Sequence, residues 1–246
     1  MKSCQALLAV FVCAVLPLHA ADLSDLIYTT TDVKVTITDC KTAASGELVI
    51  PYTIEGKPVT SIGGAAFWGC ASLTKITIPD SVTGIGSGDF YGCTSLTSIT
   101  IPNSVTSIEF NAFLRCTNLT SITIPDSVTS IRLGAFVECT SLTAVIFLGD
   151  APKEGKEVFK DSVPTIYREP KAKGWGDTFA GRPVKLISSE ALVVLIEREI
   201  ELAQFDSALS LIDSFLLKYP DDPKVDEIKT LRGRINKFQQ LEDFSE

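Results

Sequence analysis

"CTSLTSITIPNSVTSIEFNAFLR", residues 93–115, is followed at once by "CTNLTSITIPDSVTSIRLGAFVE", residues 116–138, and preceded by "CASLTKITIPDSVTGIGSGDFYG", residues 70–92. The cysteines give the period: Cys70, Cys93, Cys116 and Cys139 stand 23 residues apart. Other columns keep the same step. They run Leu73, Leu96, Leu119, Leu142; Ile76, Ile99, Ile122, Val145; Val82, Val105, Val128; and Phe67, Phe90, Phe113, Phe136, Phe159. One unit of this length cannot shield its own apolar side chains from water. Stacking identical units buries them in one column, at roughly 1.5–3 kcal/mol for each large side chain. Repetition at this period predicts a solenoid.

Within a unit, "LTSITIP" alternates apolar Leu96, Ile99 and Ile101 with Ser98 and Thr100, the pattern of a short strand. Pro102 ends it for want of a donor, and Asn103, or Asp126 one unit on, closes a turn through its own side chain. "SVTSI" reads as a second short extended piece and "NAFLR" as a turn. The expected architecture is a β-rich solenoid with one strand of a parallel sheet per coil.

The form C-x-x-L-x-x-I-x-I-P-x-S-V-x-x-I-x-x-x-A-F, kept in register over consecutive units, resembles the BspA-like, treponemal-type leucine-rich repeat family. The resemblance covers roughly residues 45 to 185. The first unit carries a short insertion between Pro51 and Val59. In the last, Ala151 and Glu154 replace the Val and Ile, and Leu148 replaces the Pro. "TIYREPKAKGWGDTFAGRPVKLI", residues 165–187, is similar to a closing segment that follows such repeats, with Trp175 and Phe179 expected to lid the column. The family resemblance implies cell-surface or envelope adhesion and protein–protein contact.

The ends differ in texture. "MKSCQALLAVFVCAVLPLHA" has Lys2, an apolar stretch and small residues at Ala20 and Ala21, which reads as a signal peptide over residues 1–20. No other stretch reaches the roughly 20 apolar residues of a spanning helix. The chain is therefore expected to be exported: periplasmic, cell-surface or extracellular, in a bacterium. The solenoid with its caps is expected over residues 21–186 and a small all-α helical hairpin tail over 187–246. Ser188 or Ser189 can cap a first helix, and Asp222-Pro223 can open another. From there Val225, Ile228, Leu231, Ile235, Phe238 and Leu241 form one apolar stripe. The hairpin from Leu195 to Pro220 resembles a tetratricopeptide unit in its small Ala208 and closing Pro220, although Ile196 stands where that family has glycine.

Chemistry is scarce. Cleavage at residue 20 removes His19, the only histidine, so no serine or cysteine triad and no histidine base is available. No catalytic, cofactor-binding or metal residues are expected, and the chain is read as not an enzyme. The formal charge of −8 argues against nucleic acid as a partner. Zinc needs close cysteine pairs, and there are none. The ladder Cys70, Cys93, Cys116 and Cys139 is read as structural, with buried thiols in small slots; neighbouring thiols point in parallel and cannot bridge. Cys40 is the odd one out. The remaining candidate is the outward strand face, with Lys75, Thr77, Ser98, Thr100, Ser121 and Thr123, continued by Ala144 and Ile146. Hydroxyl residues suit strands in any case; read functionally, they form a shallow recognition face for a protein or a cell-surface glycan. The other reading is a scaffold in which the solenoid spaces a helical tail that makes the contact.

Overall fold

The computed structural model describes residues 21–201 and 205–242. The expected signal peptide, residues 1–20, lies outside the described residues, as do the side chains of Phe238 and Leu241.

The 23-residue register builds what it predicts. Strands Ser45–Val49, Ser72–Thr77 and Ser98–Thr100 form one parallel sheet. Ser121–Ile124, Ala144–Phe147, Thr165–Arg168 and Arg182–Leu186 carry the same wall onward, with Thr178–Phe179 antiparallel at the end. Like lies over like: Ile76 pairs Ile99, and Ile122 pairs Val145. The second extended piece forms its own ladder, in which Ser107–Ile108, Ser130–Ile131 and Lys153–Glu154 run parallel. The insertion after Pro51 is a hairpin of Thr53–Ile54 with Lys57–Ile62, turned by Glu55 and Gly56, both with positive φ.

The column is stacked phenylalanine. Rings of Phe67, Phe90, Phe113, Phe136 and Phe159 follow at 5.3, 5.2, 5.2 and 5.5 Å, all nearly parallel. This spacing is close to the roughly 4.8 Å between paired strands, so ring contact and backbone pairing are satisfied by one rise per coil. Trp175 and Phe179 close the column, edge-on to Phe147 at 4.8 and 5.3 Å. The opposite end is covered by Leu26–Thr30 and Val35–Cys40, which pair antiparallel and join the Lys57–Ile62 strand. The repeat pattern does not extend to this cap.

Side-chain hydroxyls stitch coil to coil. Ser81, Ser104 and Ser127 donate to the carbonyls of Val59, Val82 and Val105 at 2.6, 2.5 and 2.7 Å. Thr97 and Thr143 donate likewise to Thr74 and Thr120 at 3.0 and 3.1 Å. These hydroxyls recur because each satisfies a carbonyl one coil back.

The tail has three helices: α1 (Ser189–Glu201), α2 (Phe205–Lys218) and α3 (Val225–Glu242). Ser188 accepts the Ala191 amide at 3.1 Å, and Asp222 accepts that of Lys224 at 2.9 Å. None of the described helices is long and apolar enough to cross a membrane.

Candidate functional site

The tail folds back onto the sheet. Ala144 and Ile146, the outward residues of the Ala144–Phe147 strand, are buried with Leu192, Ile196, Ala208, Leu211 and Phe215 in a second core separate from the phenylalanine column. All four residues of that strand are buried, so both of its faces are covered. In earlier coils the corresponding outward residues are Ser98 and Thr100, then Ser121 and Thr123. The change from hydroxyl to hydrocarbon at Ala144 and Ile146 is what lets helices dock there. It was visible in the sequence as a break in the hydroxyl rows.

The strand face is not open along its whole length. Ser98 and Ser121 are only 4% and 5% exposed, and helix α2 passes over the Ser98–Thr100 strand. Thr100 and Thr123 are half-buried, and Thr100 Oγ1 has no hydrogen-bond partner. Lys75 and Thr77 are half-buried as well. Lys75 and Thr77 pair in register with Ser98 and Thr100, and Ser121 and Thr123 lie on the strand of the next coil, but helix α2 shares the surface of the Ser98–Thr100 strand.

A polar clamp fixes the docked tail. The carboxylate of Glu169, buried on the last coil, accepts from Ser214 Oγ at 2.8 Å and pairs with the Lys218 ammonium. Tyr219 donates its hydroxyl to the Ile187 carbonyl at 2.8 Å. Burial raises the Tyr219 phenol above its usual range, with the Glu169 charge adding to it, so it stays a donor at neutral pH.

Beside this clamp lies a groove of about 890 Å³. Its walls are the turns around Asp126 and Asp150, the segment Glu169–Ala172, and the end of α2 at Leu217 and Lys218 with Tyr219 just beyond it. Val128 and Leu148 give it an apolar floor, and Leu217 stands 78% exposed at its rim. Asp126, Asp150 and Glu169 oppose Lys171 and Lys218, and Lys218 is already paired with Glu169. The surface is mildly acidic with apolar anchors, suited to a segment that carries both hydrocarbon and positive charge. Sequence reading missed this groove because its walls lie far apart along the chain.

The cysteine ladder is more than slot filling. The thiols of Cys93, Cys116 and Cys139 donate to the carbonyls of Phe67, Phe90 and Phe113, each at 3.1 Å. Burial drives all three up, Cys139 to about 12, so they remain S–H donors. At the next position in this column Ser162 donates to Phe136 at 2.7 Å. That serine was the signal for a donor role. Cys70 and Cys40 are also buried, in contact with each other at the ladder's end.

One coil puts an ionisable group in the column. Where Ala66, Ala112 and Ala135 precede their phenylalanines, Asp89 stands fully buried. It accepts the Gly86 amide at 2.6 Å, and burial, opposed by backbone amides, pushes its carboxyl up to about 7.

Six copies of the BspA type leucine rich repeat region match residues 49–165. The T. pallidum leucine-rich repeat protein (TpLRR) is similar at 30% identity over 61% of this chain and 71% of that one, with a TM-score of 0.54. A leucine-rich cell surface protein from Faecalibacterium prausnitzii is 30% identical, covering 60% of this chain and 44% of that one, at a TM-score of 0.47. The pneumococcal vaccine antigen PcpA is 16% identical, covering 70% and 45%, at 0.48. No curated protein gives a match.

Proposed function

Because the chain belongs to the BspA-type leucine-rich repeat family, a fold suited to protein binding, we propose that it is an exported, non-catalytic binding protein. It takes up a protein segment at the groove between the last coils and helix α2, in a role of adhesion or surface contact. The observation that carries this reading is the groove itself: an apolar floor and exposed Leu217 beside Asp126 and Asp150, which outnumber Lys171 because Lys218 is taken up by buried Glu169. Exposed hydrocarbon beside unbalanced carboxylates favours a segment with apolar and basic side chains. A cell-surface glycan, the other partner class expected from the sequence, offers fewer apolar contacts to such a floor.

The test is binding of the purified chain to intact target cells before and after protease shaving. Leu217→Asp and Asp150→Lys should each reduce binding at least about tenfold, as for a truncated interface anchor, and shaving should abolish it. Binding indifferent to both substitutions would reject the groove. Binding that survives shaving would reject a protein partner.

The scaffold reading also has an observation in its favour. The docked tail shares a core with the last coils, which holds its outer face at a fixed position. A substitution on the solenoid side separates the two readings: Asp150→Lys should weaken capture at the groove and leave a contact made by the tail's outer face unchanged, while unchanged capture by a chain lacking Ser188 to Glu246 would eliminate both.

A further inference from the structure

Each ladder thiol has its own acceptor except the first. Cys93, Cys116 and Cys139 reach a phenylalanine carbonyl at 3.1 Å, 26 residues back. Twenty-six residues before Cys70 is Ala44, in the N-terminal cap, and the repeat has not yet begun. The Cys70 thiol instead makes long contacts, 3.7 Å to the Cys40 carbonyl and 3.8 Å to that of Lys41. Cys40 Sγ lies 3.7 Å from the same Lys41 carbonyl oxygen. Two buried sulfurs thus converge on one oxygen, close enough for each to shift the other's thiol.

We propose that Cys40 and Cys70 form a disulfide that ties the N-terminal cap to the first coil once the chain meets a low-molecular-weight or protein disulfide oxidant. The proposal rests on the exported reading for its setting, because such oxidants prevail outside the cytoplasm. Its chemistry does not depend on that reading.

The pairing assigns the roles. The neighbouring sulfur lowers the Cys70 thiol and raises that of Cys40, the latter further by burial, so Cys70 ionises first. Cys70 as thiolate attacks one sulfur of the oxidant R–S–S–R. The oxidant's S–S bond breaks, a mixed disulfide forms on Cys70, and RS⁻ leaves. Cys40 then gives up its proton, attacks the Cys70 sulfur and expels the second RS⁻. Two electrons pass from the protein thiols to the oxidant, which ends as two RSH. The product also removes two poor S–H donors from a buried site near the Asp25 and Asp39 carboxylates, whose charges raise Cys40 and Cys70 respectively. No other ladder neighbours share this arrangement, because each already spends its proton on a carbonyl.

The test equilibrates the purified chain with glutathione at graded ratios of oxidised to reduced form, then traps thiols by alkylation and maps peptides by mass. The expected result is a cross-linked Cys40–Cys70 peptide, lighter by about 2 Da than the two thiols, with Cys93, Cys116 and Cys139 alkylated. The cross-link closes a loop of about 30 residues and should raise the melting temperature by about 5–15 °C, a gain lost with dithiothreitol. Cys40→Ser should abolish the cross-link and the dithiothreitol response together. Alkylation of both thiols at every ratio, or a cross-link through Cys93 in place of Cys40, would overturn the proposal. A second arm acid-traps thiols in the producing cell. A cross-link found there supports both readings, whereas one formed only with added glutathione retains the disulfide and removes the exported setting.

Discussion

Ser162 Oγ lies 2.7 Å from the carbonyl oxygen of Phe136, doing for the last coil what the Cys139 thiol does for Phe113 at 3.1 Å. The column therefore selects a small buried donor rather than sulfur as such. We predict that Cys116→Ser folds with a loss of at most about 1 kcal/mol, since the donor is kept. Cys116→Ala, which leaves the Phe90 carbonyl unsatisfied, should cost about 1–3 kcal/mol. Urea denaturation of the two variants checks this, and equal costs would reduce the thiol to a space filler.

The phenylalanine column makes neighbouring coils interdependent. Phe113 is sandwiched between Phe90 and Phe136 at 5.2 Å on each side. Phe113→Ala should cost on the order of 3–5 kcal/mol and loosen both adjacent coils. Hydrogen exchange would show the loss of protection spreading along the stack. An effect of a few tenths of a kcal/mol would place the ring outside the core.

Asp89 makes stability depend on pH. Its folded carboxyl titrates near 7, above the ordinary 3.8, so the folded state holds a proton that the unfolded chain releases. For a raised acid the favourable contribution is complete below about 4 and is lost as pH rises through 7. The wild type should therefore lose stability between those limits through this group. Asp89→Ala, which restores the residue of Ala66, Ala112 and Ala135, should flatten that slope and be the more stable protein at pH 8. Chemical denaturation at pH 5 and pH 8 decides it; parallel slopes for the two proteins would contradict a buried, titrating Asp89.

The docking of the tail rests on hydrocarbon at Ile146, with Glu169 and Ser214 as the polar clamp. Ile146→Asp puts an unpaired charge beneath α1 and α2 and should release the helices while the solenoid stays folded. Limited proteolysis should then cut near Ser188 at least about tenfold faster, with the strand signal in circular dichroism kept. Simultaneous loss of the strand signal would mean that Ile146 belongs to the solenoid's own core.

How much was legible follows from what repeats. Val82, Ile99, Cys116 and Phe136 could each be placed because the same residue type recurs every 23 positions facing its copy. Tertiary context for such a residue is its own sequence, one unit away. A cap before the repeats was expected but its make-up was not legible, since Leu26, Val35 and Ile37 seal the column without belonging to the repeat. Nor was the thiol–thiol contact of Cys40 with Cys70, which arises where the pattern stops.

By itself the sequence determined the coil, its rise and its column, because translational repetition turns one local solution into the whole wall. Only the tertiary structure decided where the tail rests. Ala144 and Ile146 meet Leu192 and Phe215, and Glu169 meets Ser214 across 45 residues of chain. The physical reason is that this contact joins two surfaces of unlike sequence, where shape, hydrocarbon area and one buried carboxylate must agree at once, and no periodicity connects them.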